Sequence, residues 1–189
     1  MTELYCDEHL TSHWSLGPSM AETNKCSTCG RVHEEVPLSF AADFPDMYAN
    51  MKWEDRDVRA VIGTDQCIID QKLFFIRGCL EIPVIGSEDI FLWGMWALIR
   101  EEVFDEISEL WETPGKEKLQ GPFKGRIANS LSEYPETLNL KCEIIIQPVG
   151  ARPLFRLDEP EHPLTVEQRI GITRSRALEL VGLVLHQVT

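Results

Sequence analysis

Two cysteines two residues apart, with a histidine four residues beyond, carry the strongest chemical signal in this 189-residue chain. Residues 26–33 read Cys26-Ser27-Thr28-Cys29-Gly30-Arg31-Val32-His33. Two thiolates at this spacing can grip one tetrahedral ion, and the glycine after the second lets the backbone turn tightly around the sulfurs. His33 is near enough to add an imidazole nitrogen. The three residues predict zinc, against the alternatives of a redox pair or unliganded thiols. A redox pair wants a strand before it and a helix after it, and no such strand precedes Cys26.

A fourth ligand must come from elsewhere in the chain. Cys6 and His9 form a Cys-x-x-His pair that would complete a two-knuckle site with Cys26 and Cys29, and His13 is a further donor. The other source is His162, in Glu161-His162-Pro163-Leu164, brought back by the fold. The candidate set is Cys26, Cys29 and His33 with His162 as a fourth donor, and the spacing does not rank His162 against Cys6, His9 or His13. Catalytic metal patterns do not fit. The nucleobase-deaminase order His-x-Glu then Pro-Cys-x-x-Cys is absent, and residues 33–37 read His-Glu-Glu-Val-Pro rather than His-Glu-x-x-His. No nucleophile elbow, P-loop or dinucleotide fingerprint occurs. Four protein ligands leave no open position for water, so the zinc reads as structural.

The remaining cysteines, Cys67, Cys79 and Cys142, lie in apolar stretches and read as core packing, as do Trp93 and Trp96. Arg77 and Glu81 stand out in a strongly apolar run. Their spacing puts them on one strand face, paired with each other or with a packed helix. A rival reading gathers Arg77, Glu81, Trp93 and His162 into a cleft enzyme, with or without a metal.

The net charge is −13. Residues 151–189 hold five arginines against five acids, so the whole excess lies upstream. Residues 1–40 carry two bases and six acids, the wrong sign for a nucleic-acid finger or an anionic membrane. A surface for a basic partner, as in an inhibitor or immunity protein, is a second rival. Neither a protein partner nor a homo-oligomer is excluded. No apolar run approaches the roughly 20 residues needed to span a bilayer. The acidic start lacks the basic and apolar regions of a secretory signal, so the expected compartment is the cytoplasm and the cysteines are expected reduced.

The elements that must position these residues follow from periodicity. Strands are predicted at 58–62, 67–69 and 73–84, with Asp70-Gln71-Lys72 turning between the last two. Residues 90–99 are apolar on both faces, as in a strand buried on two sides, and Gly94 marks a bulge or a close backbone approach. Val103, Phe104, Ile107, Leu110 and Trp111 make one face of a helix at about 101–112. Further strands are expected at 122–128, 138–147 and 153–157. Thr165 reads as an N-cap with Gln168 at its N3 position, and Thr173 as the cap of a last helix with core face Ala177, Leu180, Val181, Val184 and Leu185. The expectation is an α+β domain over residues 24–189 with a mostly antiparallel central sheet, C-terminal helices and a knuckle-like N-terminal segment. Residues 1–23 read as an extension.

The chain also resembles a known family. The carrying motifs are Cys26-x-x-Cys29-Gly30-x-x-His33, Pro37-Leu38-Ser39-Phe40, Ala42-Asp43-x-Pro45, Asp65-Gln66-Cys67-Ile68-Ile69-Asp70, Phe74 through Pro83, Phe91-x-Trp93-Gly94-x-Trp96, Tyr134-Pro135-x-Thr137-Leu138, Arg152-Pro153 and His162 through Ile172. Together they are similar to the bacterial "domain of unknown function 2199" family over about residues 24–188. The first 20 or so residues depart from its pattern, which favours His33 over Cys6, His9 and His13. The resemblance implies a small soluble bacterial protein and nothing sharper, since it brings no established catalytic residues. The resulting expectation is a zinc-stabilised protein that binds rather than catalyses.

Overall fold

The computed structural model describes residues 37–119, 121 and 123–186. In chain order the elements are β1 (Ser39–Ala41), α1 (Asp46–Ala49), α2 (Trp53–Arg59), β2 (Ala60–Ile62), β3 (Gln66–Ile69), β4 (Leu73–Pro83), β5 (Ile90–Ile99), α3 (Glu101–Glu109), a 3-10 turn (Lys116–Lys118), β6 (Phe123–Ile127), β7 (Lys141–Ile145), β8 (Leu154–Leu157), α4 (Pro163–Ile170) and α5 (Arg174–His186).

The organising unit is the long hairpin of β4 and β5, paired over ten residues from Phe74↔Ile99 to Pro83↔Ile90. Each strand divides its second edge between two neighbours. On β5, Leu92–Gly94 take β1 in parallel, and Ala97–Ile99 take β6. On β4, Leu73–Ile76 take β3, and Cys79 takes β8 in parallel. The strands β4, β5, β6, β7 and β8 therefore close on themselves as a small barrel, with β1 and the β2–β3 pair as flaps. This corrects the expected mostly antiparallel central sheet. The ladders from β4 through β8 are antiparallel, but a meander of five strands brings its first and last strands together pointing the same way. An open sheet leaves two edges; closure removes them from the five barrel strands.

Closure leaves no room at one position. A Cβ on Gly78 would lie 2.5 Å from the Phe155 ring and 2.6 Å from the Pro153 carbonyl. The missing side chain lets β8 reach β4, where the Cys79 amide donates to the Pro153 carbonyl at 2.8 Å.

Strand parity sorts the side chains. Phe74, Ile76, Leu80 and Ile82 of β4 point inward with Phe91, Trp93, Met95, Ala97 and Ile99 of β5, and all are buried in one core. One end of the barrel is stopped by α3, where Phe104 packs on Phe74 with ring centroids 5.3 Å apart. The other end is stopped by Leu164 of α4, by Ile172, and by Ala177, Leu180 and Val181 of α5. The opposite face of β4–β5 carries a second, smaller core in which Tyr48 of α1 covers Phe75 and Trp96.

Three local expectations are corrected. Residues 53–59 are helical rather than the start of a strand, and Val58 is exposed. Charged residues occupy most of that turn, and Arg59 ties it to Asp70 at 2.6 Å across the β3–β4 turn. Helix α3 ends at Glu109, three residues early. The α4 cap is His162, not Thr165, because Pro163 pre-sets the first helical residue. Thr165 is buried inside α4, and Gln168 instead bonds the β8 backbone, accepting from Leu157 N at 2.9 Å and donating to Phe155 O at 2.6 Å. Thr173 does cap α5, accepting from Arg176 N at 3.2 Å.

Candidate functional site

Cys26, Cys29 and His33 lie outside the described residues, as do Cys6, His9 and His13. His162 is described, and its surroundings restrict what it can do. It precedes α4 with its Nδ1 accepting from Leu164 N at 3.2 Å. A neutral imidazole that accepts at Nδ1 carries its proton on Nε2. That Nε2 is buried and, among the described residues, has no hydrogen-bond partner. It therefore presents an N–H rather than a lone pair. Ligation through Nε2 would require the proton to move to Nδ1 and the cap to be given up. Among the described residues, no three His, Cys, Asp or Glu side chains are grouped to hold an ion.

The three described cysteines, Cys67, Cys79 and Cys142, are all buried. Burial pushes the Cys67 thiol up to about 11 and the Cys142 thiol up to about 12. Both stay protonated at neutral pH, which suits packing rather than ligation or attack. Cys142 lies in the barrel core and Cys67 in the smaller one. Cys79 belongs to neither cluster, although it is only 7% exposed.

Arg77 and Glu81 share the outward face of β4, as expected from their spacing. Four strand residues separate them by about 13 Å, so they do not pair with each other. The Arg77 guanidinium lies 5.9 Å from the Trp96 ring centroid. Burial raises the Glu81 carboxyl above its ordinary range. Trp93 points the other way, into the core, against Phe40, Phe91 and Tyr134. Arg77, Glu81, Trp93 and His162 therefore do not converge on one cleft: the sheet itself stands between Trp93 and the two charged residues.

Two polar clusters had only a faint sequence signal. Asp65 accepts from Arg152 Nε at 2.6 Å, joining the loop before β3 to the start of β8. Lys116 is buried nearby, its ammonium pushed down by desolvation, donating to the Trp111 carbonyl at 2.7 Å. Asp65 and Arg152 each open a motif quoted above, but 87 residues separate them, and no local pattern predicts the pair. In the second cluster, Tyr134 donates to Glu167 Oε2 at 2.5 Å, and Glu167 Oε1 accepts from Arg176 Nε at 2.9 Å. Desolvation, then the bond to Glu167, raises the Tyr134 phenol far above its ordinary range. Both clusters fasten loops and helices onto the barrel.

On the opposite wall, Glu143 of β7 sits between Lys124 of β6 and Arg156 of β8 and pairs with both. Glu143 and Arg156, with Glu117, border a shallow groove of about 260 Å³ also lined by Ile144 and Ile146. Of the groove's charges, Glu143 and Arg156 are partnered with each other across β7 and β8.

Fold and polar clusters define a small α+β barrel protein whose internal polar groups hold its parts together. Residues 25–172 match the family described as uncharacterized protein conserved in bacteria (DUF2199), and the chain belongs to that family. No curated protein and no solved structure matches the chain.

Proposed function

We propose that this bacterial protein acts by binding, and that its N-terminal segment is held by a structural zinc ion on Cys26, Cys29 and His33, with a fourth donor from the chain. The observation that carries the metal is the spacing Cys26-x-x-Cys29-Gly30-x-x-His33. His162 remains a candidate fourth donor at the expense of its cap, with Cys6, His9 and His13 as the others. Support for binding over catalysis comes from the polar clusters. Asp65–Arg152, Tyr134–Glu167–Arg176 and Lys124–Glu143–Arg156 each engage their charges with one another rather than aiming them into a shared cavity.

Metal analysis of the purified protein tests the zinc. One zinc per chain is expected, lost in the Cys26→Ser/Cys29→Ser variant, with a lower melting temperature after chelation. Metal-free protein, or a melting temperature indifferent to chelator, overturns the reading.

A further inference from the structure

We propose that the outer edge of β2, with the exposed valines at the α2–β2 corner, is an interaction surface whose occupant is a second copy of this chain, paired antiparallel about a two-fold axis at Val61. The proposal stands on strand register, exposure and charge, and does not rest on the zinc.

Barrel closure leaves β2 at one end of the strand order, with β3 its one strand neighbour among the described residues. The Asp70 amide donates to the Arg59 carbonyl at 2.7 Å, and the Gly63 amide to the Gln66 carbonyl at 2.8 Å. Backbone groups alternate sides along a strand, so residues 59, 61 and 63 face β3 while 60 and 62 point away from it. The Ala60 amide is taken by the Arg56 carbonyl. Among the described residues, the Ala60 carbonyl and both backbone groups of Ile62 are left as an open edge. Proteins usually blunt such an edge with lysine, proline or a bulge. Residues 60–64 read Ala60-Val61-Ile62-Gly63-Thr64, with no lysine, no proline and no charge.

Apolar surface is concentrated at the same place. Val58 is 84% exposed, Trp53 80% and Val61 73%, the three highest values among the large apolar side chains described. Ala60 and Ile62 pack on the smaller core, and strand parity turns Val61 to the other face.

A second copy supplies the counterpart that this edge lacks. The two-fold falls on Val61 because β2 spans only Ala60–Ile62 and turns towards β3 at Gly63. Ile62 N then donates to the Ala60 carbonyl of the second copy, and the symmetry repeats the bond. Val61 meets its own equivalent in the closely spaced, non-hydrogen-bonded pair, where β-branched side chains pack well. A foreign strand would find the same backbone groups, but a second copy also brings its own Val58 and Val61. The net charge of −13 sets two copies against each other over most of the surface. This edge avoids that repulsion. Its central residues are uncharged, and the flanking charges are already engaged, Arg59 with Asp55 and Asp70, and Asp65 with Arg152. The contact is small beside the roughly 1,200–2,000 Å² of a stable interface, so the dimer should dissociate at micromolar concentrations.

Sedimentation equilibrium of the full chain over about 1–500 μM tests this, and a monomer–dimer equilibrium is expected. Val61→Lys sets two ammonium groups face to face at the axis. It should weaken the dimer by about tenfold or more at an unchanged melting temperature, because the side chain is exposed. Ile170→Lys adds the same charge at an exposed position on α4 and should leave the dimer as it was. A monomer throughout, a dimer indifferent to Val61→Lys, or one weakened equally by Ile170→Lys overturns the proposal. The contact is located by Val61→benzoylphenylalanine, illuminated in a mixture of isotope-light and isotope-heavy chains and mapped by mass spectrometry. Links between light and heavy chains at residues 58–64 are expected. Light–heavy links elsewhere, or links only within one chain, also overturn it; among the latter, links to residues 1–36 would mean that the chain covers its own edge.

Discussion

At the scale of single residues, the fold depends on what is missing at Gly78 and on what is bonded at Tyr134. Gly78 sits where β8 closes on β4, and any side chain there meets the Phe155 ring and the Pro153 carbonyl. Gly78→Ala should cost about 1–3 kcal/mol, the usual range for overpacking, read as a lower urea midpoint. An unchanged midpoint would mean that β8 can back away without loss. Tyr134→Phe removes the donor to Glu167, an acceptor also bonded to Arg176. Loss of a hydrogen bond to a charged group should cost roughly 1.5–3 kcal/mol. Glu81 gives a pH test. Its folded carboxyl titrates above its unfolded value because burial disfavours the charge. The folded state then holds the proton more tightly, so this group's contribution falls as pH rises through the unfolded value towards the folded one. Glu81→Gln should therefore stabilise the protein at pH 7.5 and change little at pH 4, with denaturant midpoints at both pH values as the measurement.

At the scale of elements, α4 shows how a helix is fixed by its ends and by one polar side chain. His162 caps it, Pro163 starts it, and Gln168 stitches it to both backbone groups it faces on β8. Gly171 ends it at φ 82°, where an added Cβ would lie 2.8 Å from the Pro83 carbonyl. Gln168→Ala leaves the Leu157 amide and the Phe155 carbonyl without that partner. A cost of about 1–3 kcal/mol is expected, with hydrogen exchange at Leu157 N faster than in the parent protein. Equal exchange at that amide would show that another group takes over the bond. The cap also fixes the histidine's tautomer. The nitrogen resonances of His162 should show protonated Nε2 and unprotonated Nδ1. The opposite pattern, with Nε2 on an ion, would make His162 the fourth ligand.

At the scale of the whole molecule, the proposed zinc segment and the barrel are expected to make separable contributions. The core gathers residues from β1 through α5, and none of the proposed zinc ligands is among them. Removal of zinc should then lower the melting temperature while leaving the slowest-exchanging amides of β4 and β5 protected. Simultaneous loss of that protection would tie the barrel's folding to the metal. Among the described residues, no helix is long and apolar enough to cross a membrane.

The sequence alone determined the members of the long hairpin, the helix after it and the C-terminal helices. Those follow from local rules: a run apolar on both faces, a 3.6-residue repeat, and a turn at Asp70 and Gln71, where both residues adopt φ 54°. It also determined that Cys26, Cys29 and His33 are spaced as ligands, since that depends only on neighbours in the chain. Tertiary structure alone decided the barrel, because closure depends on a single register pair, Cys79↔Leu154, between strands 75 residues apart in sequence. The same holds for Asp65 with Arg152 and for Tyr134 with Glu167 and Arg176, pairs formed across chain separations that no periodicity encodes. It also decided that Arg77 and Trp93 stand on opposite faces of the sheet. Counting by twos along each strand gives the alternation, but only the pairing of β4 with β5 says which face is the inside.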